Sequence, residues 1–530
     1  AGNLAARRQT ADMIFEPIPM KKLNADDRYR VERDEARPNA RPFYVNQELL
    51  LEQTGTTPDE VIDFVANYLL SIPPSPEFIE QVSAYLESNP SPEKIETLVL
   101  SVIQSPQNQL NTIMMDEHFL PRTTRREFLR TSGKALGFLA LSQVAPSFVT
   151  RAAATGSPRP DKDSPILVLV QLAGGNDGLN TVIPYQDDRY YNLRPTLGIP
   201  QSKVLPINDL VGLHPSCNEL HRLLSDGKLS VIQNVGYPNP NRSHFRSMEI
   251  WETATDSDRS SQTGWVSRFF DNACAGDPSL DPKGIYLTSQ PPQIYDTDKF
   301  LNVYGASGRV SGKKGGNRDL LKSFATASGD DAPEPAHFLS HTYLDALAMD
   351  ERIGKILGRN RSEVSYPNTR LSRSLDNVAR MIRGGLDTRV YFVSLGGFDT
   401  HSNQAGRQAQ LLEELSGALN AFQQDLESSG LDDQVVTMTF SEFGRRPMEN
   451  ESRGTDHGTA APLFVMGSGI QDSVIGSAPH LEVPKNGDLK HEIDFRSVYA
   501  SVLEDWLQCP SEPILGAEFE RLPIVSRQTG

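Results

Sequence analysis

The stretch Ile166-Leu167-Val168-Leu169-Val170-Gln171-Leu172-Ala173-Gly174-Gly175-Asn176-Asp177-Gly178 decides how the chain folds. It opens as an almost unbroken apolar run, the pattern of a strand buried on both faces, as in a parallel sheet. The glycines that follow let the chain turn tightly and leave Asp177 at the strand tip. A plain Asn-Asp-Gly turn fits the same residues. The glycine spacing is not the dinucleotide fingerprint, which also has to open a helix. Similar runs recur at Leu229–Val235, Val390–Leu395, Val435–Phe440 and Pro462–Met466, and helical spacing fills Leu371–Ile382, Gln408–Leu426 and Phe495–Leu507. Strands alternating with helices predict an α/β domain over 165–525, a mostly parallel central sheet with helices on both faces. Residues 305–335, rich in Gly, Lys, Ser and Asp, read as a surface insertion. Sheets of this kind bind ligands beyond the C-terminal ends of their strands, so the residues found there are the candidates.

After Leu229–Val235 comes Gly236-Tyr237-Pro238-Asn239-Pro240-Asn241-Arg242-Ser243-His244-Phe245, with Met248, Ile250 and Trp251 at helical spacing. Ser243 then stands at a helix start. There it is either an N-cap or a nucleophilic or anion-binding hydroxyl, aided by free N–H groups and the positive helix end. Arg242 and His244 beside it can hold an anion or move a proton. Val390–Leu395 leads into Gly396-Gly397-Phe398-Asp399-Thr400-His401. Asp399 and His401 can both point at one cation, since an Asp/His mixture suits zinc, manganese or iron, or the stretch is a solvated turn. Val435–Phe440 leads into Ser441-Glu442-Phe443-Gly444-Arg445-Arg446, either a metal-binding carboxylate with an arginine oxyanion clamp or a surface salt-bridge cluster. Just before the next strand, Gly454-Thr455-Asp456-His457-Gly458 offers two ligands, one ligand oriented by Asp456, or a capped loop. The reading is therefore a site at one sheet edge. Asp177, Asp399, His401, Glu442, Asp456 and His457 are its candidate ligands for one or two divalent ions, zinc or manganese. Ser243, His244 and Arg445 are its candidate catalytic groups.

Charge and composition exclude several alternatives. A net charge of −16 over 530 residues argues against nucleic acid or an anionic membrane as the main partner. Three scattered cysteines, Cys217, Cys274 and Cys509, make no disulfide framework and no Cys-type zinc motif, and allow at most one disulfide after export. No stretch reaches the roughly 18 apolar residues that span a membrane. Thr124-Arg125-Arg126-Glu127-Phe128-Leu129-Arg130 matches the twin-arginine export pattern. The apolar run Ala135–Val149 and the small-residue site Arg151-Ala152-Ala153-Ala154 follow it. Basic, apolar and small segments in that order over 123–154 form a signal peptide, which predicts export by the twin-arginine translocase to the periplasm or beyond. Met114 and Met115 lie just upstream, so residues 1–113 read as a separate unit joined in front. Residues 1–42 are polar and expected to be poorly ordered. Residues 43–113 read as a small all-α segment, because Thr57-Pro58-Asp59-Glu60, Ser75-Pro76-Glu77 and Ser91-Pro92-Glu93 are helix starts.

The five strand-end motifs resemble the domain of unknown function 1501 family over nearly all of 124–520, and that family is similar to the alkaline phosphatase superfamily, which includes sulfatases. The run Tyr68–Asn111 weakly resembles the C-terminal tail of the domain of unknown function 1800 family. The first resemblance implies an alkaline phosphatase-like sheet. It makes Asp177 a first-strand metal ligand, Ser243 the nucleophile, Asp399 and His401 ligands of one metal, Glu442 a strand-end ligand, and His457 the final metal histidine. The chain departs from that pattern in its short Asp399–His401 spacing and in Phe443, which stands where a metal histidine is expected. The second metal is then weak, absent, or completed by His244 or Asp456. Two functions follow: a metal-dependent hydrolase of small-molecule or glycan phosphate or sulfate esters, or a non-catalytic metal- or anion-binding scaffold of the cell envelope. There is no G-x-S-x-G elbow and no H-E-x-x-H, which removes the commonest serine and zinc hydrolases.

Overall fold

Side chains that alternate between two apolar surfaces build the centre of the molecule. The computed structural model describes residues 57–65, 76–86, five residues of 91–99, and 164–274, 281–297, 303–306, 348–484 and 487–527. The expectations for residues 1–42, the export segment 123–154 and residues 307–335 lie outside the described residues. The chain forms two compact units, 1–156 with 311–351 and 157–310 with 352–530. The first carries the helices Pro58–Phe64 and Pro76–Leu86. Thr57 and Glu60 form a reciprocal cap there: the Thr57 amide donates to the Glu60 carboxylate at 3.0 Å, and the Glu60 amide donates to the Thr57 hydroxyl at 3.4 Å.

The second unit is a nine-stranded sheet. Its strands are β1 (Ile166–Ala173), β2 (Leu229–Gly236), β3 (Gly284–Tyr286), β4 (Val303–Gly305), β5 (Val390–Gly396), β6 (Val435–Phe440), β7 (Ala461–Met466), β8 (Val474–Ile475) and β9 (Ile493–Asp494). They lie in the order β8-β2-β7-β6-β1-β5-β3-β4, with β9 paired to β2. Every pairing is parallel except those of β7, which runs antiparallel to both β2 and β6. The expected mostly parallel sheet is present. The five runs read as strands are β1, β2, β5, β6 and β7, while the short strands β3 and β4 carry too few residues to show a period. Gly305, the last residue of β4, is also the first of the stretch read as an insertion.

Both faces of the sheet are covered. The helices are α1 (Asn218–Ser225), α2 (His244–Thr253), α3 (Trp265–Ala273), α4 (Arg370–Arg383), α5 (Gln404–Ser428) and α6 (Phe495–Ser501). Leu167 and Leu169 of β1, Phe392 of β5 and Met438 of β6 point into a core built with Trp251 of α2, Trp265 of α3 and Tyr499 of α6. Helix α4 packs on β5 and α5, and α1 packs on β2 and α5. The helix expected over Phe495–Leu507 is α-helical only to Ser501 and continues as a π turn over Val502–Trp506. Trp506 there donates its indole N–H to the Ile166 carbonyl at 3.0 Å.

Glu252 of α2 is a carboxyl buried beside these aromatic rings. Burial pushes it up to about 8, although the Gln293 and Ile294 amides hydrogen-bond to it and pull the other way. A carboxyl raised on folding binds its proton more tightly in the native state. Its contribution is therefore fully present below the ordinary carboxylate pKa and is lost as pH rises from there through about 8. Glu252→Gln should match the wild type near pH 4 and melt several degrees higher at pH 9 in thermal denaturation. Parallel melting curves across that range would show that the carboxyl carries no such penalty.

Candidate metal centre

The direction of β7 gathers the site. Ala461 pairs with Val235 and Met466 with Leu229, so the start of β7 lies at the C-terminal end of β2. Residues preceding β7 thus meet residues that follow β1, β2, β5 and β6. Asp399 and His401 come from the loop after β5, His244 from the start of α2, and His457 from the strand Thr455–His457 that pairs with Arg445–Glu449.

Three ligand atoms converge. The Asp399 Oδ1 is 2.9 Å from His401 Nε2 and 3.1 Å from His457 Nε2, and the two ring nitrogens are 3.0 Å apart. Tetrahedral ligands roughly 2.1 Å from a zinc-sized ion stand about 3.4 Å from one another, so this triangle is close to one face of such a shell. The Asp399 Oδ2 lies 3.5 Å from His244 Nε2. One ligand atom from each of His244, Asp399 and His457 lies within 4.8 Å of the others.

The outer nitrogens of two rings are fixed from behind. His457 Nδ1 faces the Arg242 carbonyl at 2.9 Å, and His244 Nδ1 faces the Glu442 Oε1 at 2.9 Å. With a proton kept on Nδ1, each Nε2 can give up its own proton and turn a lone pair to a cation, the usual arrangement behind a metal-binding histidine. Phe443 forms an apolar wall against these two rings, at 4.9 Å from His244 and 4.6 Å from His457 between ring centres. Burial alone would lower His244, yet its hydrogen bonds to Asp399 and Glu442 hold it up at about 9. Burial alone would raise Asp399, but hydrogen bonds from His244, His457 and Arg445 hold its carboxyl far below the ordinary range.

The structure distributes the sequence-derived candidates unevenly. It brings together Asp399, His401, His457 and His244. Asp456 stands beside them, with its Oδ1 3.6 Å from His401 Nδ1. Glu442 stands behind His244 and also accepts from the Gly174 amide at 2.8 Å. Asp177 is fully buried, and its Oδ2 accepts from Arg194 Nη1 at 2.6 Å and from Gln404. Arg445 is buried as well. It donates from Nε to the Gly175 carbonyl, from Nη1 to the Thr455 carbonyl, and from Nη2 to Gly174, Phe398 and the Asp399 Oδ1. Its donors hold loops and the Asp399 carboxylate in place, whereas the sequence offered it as an oxyanion clamp. Arg446 is closer to that description, partly exposed and 3.9 Å from Asp456. Ser243 is exposed at the N-cap of α2 with no capping hydrogen bond from its side chain.

Arg194 and Gln404 carried no signal in the sequence. Gln404 opens α5, and its carbonyl oxygen accepts from Thr400 at 3.0 Å and Thr455 at 2.7 Å while its amide reaches Asp177. Gly174 was legible as a turn residue, and its role is tighter than a turn requires. Its φ is +120°, and a Cβ there would overlap the Asp399 main-chain nitrogen.

Residues 345–505 match the model of a family described as protein of unknown function (DUF1501), the family the motifs resemble. No curated protein matches the chain in sequence. Among solved structures it is similar to a protein of the alkaline phosphatase superfamily from Vibrio parahaemolyticus, at 9% identity and TM-score 0.31 over 70% of this chain and 71% of that one. It is also similar to the lipoteichoic acid synthase LtaP from Listeria monocytogenes, at 11% identity and TM-score 0.28 over 70% and 77%. A third is the C-terminal periplasmic domain of EcEptC from Escherichia coli in complex with Zn, at 9% identity and TM-score 0.29 over 59% and 76%.

Removing an outer partner of a ligand typically weakens metal binding about 10- to 100-fold. Glu442→Gln should do so for zinc or manganese, measured by titration calorimetry, with the fold unchanged by circular dichroism. Wild-type affinity in that variant would detach Glu442 from the centre.

Proposed function

We propose that this chain is an exported, divalent-ion-dependent hydrolase of phosphate or sulfate esters. The observation that carries the reading is the triangle of Asp399 Oδ1, His401 Nε2 and His457 Nε2, with His244 beside it and the Nδ1 atoms of His457 and His244 held from behind. Asp399, His401, His457 and His244 would hold the ion, and this donor set suits zinc or manganese. When bound, the ion supplies positive charge against the ester oxygens and favours the alkoxide form of a neighbouring hydroxyl.

The chain's own groups divide the remaining work. Ser243 Oγ, at the positive end of α2, attacks phosphorus or sulfur, and the alcohol leaves with a proton. Water then cleaves the ester formed on Ser243 and restores the hydroxyl. Arg446 and Arg242, on chain segments adjoining Asp456 and His457, orient the anionic group. Arg445 keeps Asp399 in position, and Phe443 keeps water from the backs of His244 and His457.

A second reading is a non-catalytic scaffold that binds an ion or an anion. It is favoured by Phe443 in the place of a metal histidine and by the closure of Asp177 in an ion pair. The two readings part in one comparison. Wild-type protein should contain tightly bound zinc or manganese by elemental mass spectrometry and turn over an aryl phosphate or aryl sulfate. Ser243→Ala should keep the metal and lose at least about a thousandfold in kcat. Metal without turnover of any ester selects the scaffold, and no metal after reloading removes the hydrolase and leaves the anion-binding scaffold. Export has its own test: Arg125→Lys with Arg126→Lys should leave the protein in the cytoplasmic fraction of a host with a twin-arginine translocase. Undiminished export of that variant would discard the pathway.

A further inference from the structure

We propose that the Arg194 guanidinium stands in for a second metal ion, so that the centre takes one divalent cation per chain and Arg194 occupies an oxygen cage that would otherwise hold another. This deepens the reading above and rests on its metal-binding half.

The geometry is that of a cation among oxygens. Nη1 of Arg194 lies 2.6 Å from Asp177 Oδ2 and 2.7 Å from Asn180 Oδ1. Nε lies 2.8 Å from the Pro447 carbonyl, and Nη2 lies 3.1 Å from the Arg446 carbonyl. Both side chains of the ion pair are 0% exposed. One carboxylate, one amide oxygen and two carbonyls, all hard donors, make a set that suits magnesium, calcium or manganese. Two further acceptors nearby, Asp177 Oδ1 and Gln408 Oε1, have no hydrogen-bond partner among the described residues. A buried carboxylate needs a compensating positive charge, and here the chain supplies it covalently.

Arg194 also does what a structural ion does. It joins the loop after β1, through Asp177 and Asn180, to the strand Arg445–Glu449, through two consecutive carbonyls. That strand pairs with the strand carrying His457. A second ion at Asp177 would have to displace a guanidinium with four oxygen partners, and no water reaches either side chain of the pair.

The test counts ions in the whole chain. Native mass spectrometry after equilibration with manganese, and separately with zinc, compares wild type, Arg194→Ala, Arg194→Lys and Arg194→Ala/Asp177→Asn. Arg194→Ala should hold one more manganese ion than wild type, and the double variant should return to the wild-type number. Arg194→Lys, which keeps the charge, should gain none. Asp177→Asn in the otherwise wild-type chain should leave the count unchanged, and it serves as the deciding variant if Arg194→Ala fails to fold. Loss of one ion in Asp177→Asn, or no gain in a folded Arg194→Ala, overturns the proposal. The comparison is relative, so a wild type that binds no ion refutes the metal-dependent function while the gain in Arg194→Ala still decides the role of Arg194.

Discussion

A guanidinium with no access to water has to find protein acceptors for its N–H groups, and the site is arranged around Arg445 meeting that demand. Its partners belong to three separate segments: Gly174 and Gly175 after β1, Phe398 and Asp399 after β5, and Thr455 just ahead of β7. Leaving a buried charge unpaired costs about 3–5 kcal/mol, so each segment is held in register by the others. Four of the five acceptors are main-chain carbonyls, which fix loop paths rather than side-chain rotamers. The one side-chain acceptor is the Asp399 Oδ1, the atom around which His401 and His457 gather.

The reversed strand makes this closure possible. Were β7 parallel like its neighbours, Asp456 and His457 would precede it at the far edge of the sheet. The antiparallel pairing with β2 and β6 returns them to the edge where Asp399, Glu442 and His244 lie. The close packing there follows from the same convergence. Gly174 has no Cβ because the Asp399 amide occupies that space, and Gly444 has none because the Ala460 carbonyl does. Glycines at such positions answer to the approach of a second chain segment more than to the turn they sit in.

The sheet was legible because its information is local. An apolar run such as Val435–Phe440 states its burial in its own residues. Asp399, His401 and His457 were legible as candidates for a related reason: each stands beside a buried strand, at the edge where sheets of this kind bind ligands. What could not be read was partnership. Arg194 lies 17 residues beyond Asp177 in a stretch with no period, and nothing near it announces that it will turn back on that carboxylate. The direction of β7 is likewise absent from its composition, since a strand buried on both faces has the same residues either way. Glu442 was read as a candidate ligand, and residue type does not tell a carboxylate that faces solvent from one that faces a histidine.

Burial is what separates them. Four carboxylates meet at this edge with the same chemistry and different surroundings. Asp177 and Glu442 have side chains 0% and 3% exposed, and each is held by protein donors: Arg194 and Gln404 for the first, His244 and the Gly174 amide for the second. Asp399 and Asp456 are 46% and 50% exposed, each with a side facing solvent. A carboxylate taken fully out of water has to have its charge answered there, because an unpaired buried charge is costly. A carboxylate half in water can wait. The fold therefore holds its inner acids with its own donors and leaves its outer ones, with the histidines around Asp399, partly open to solvent.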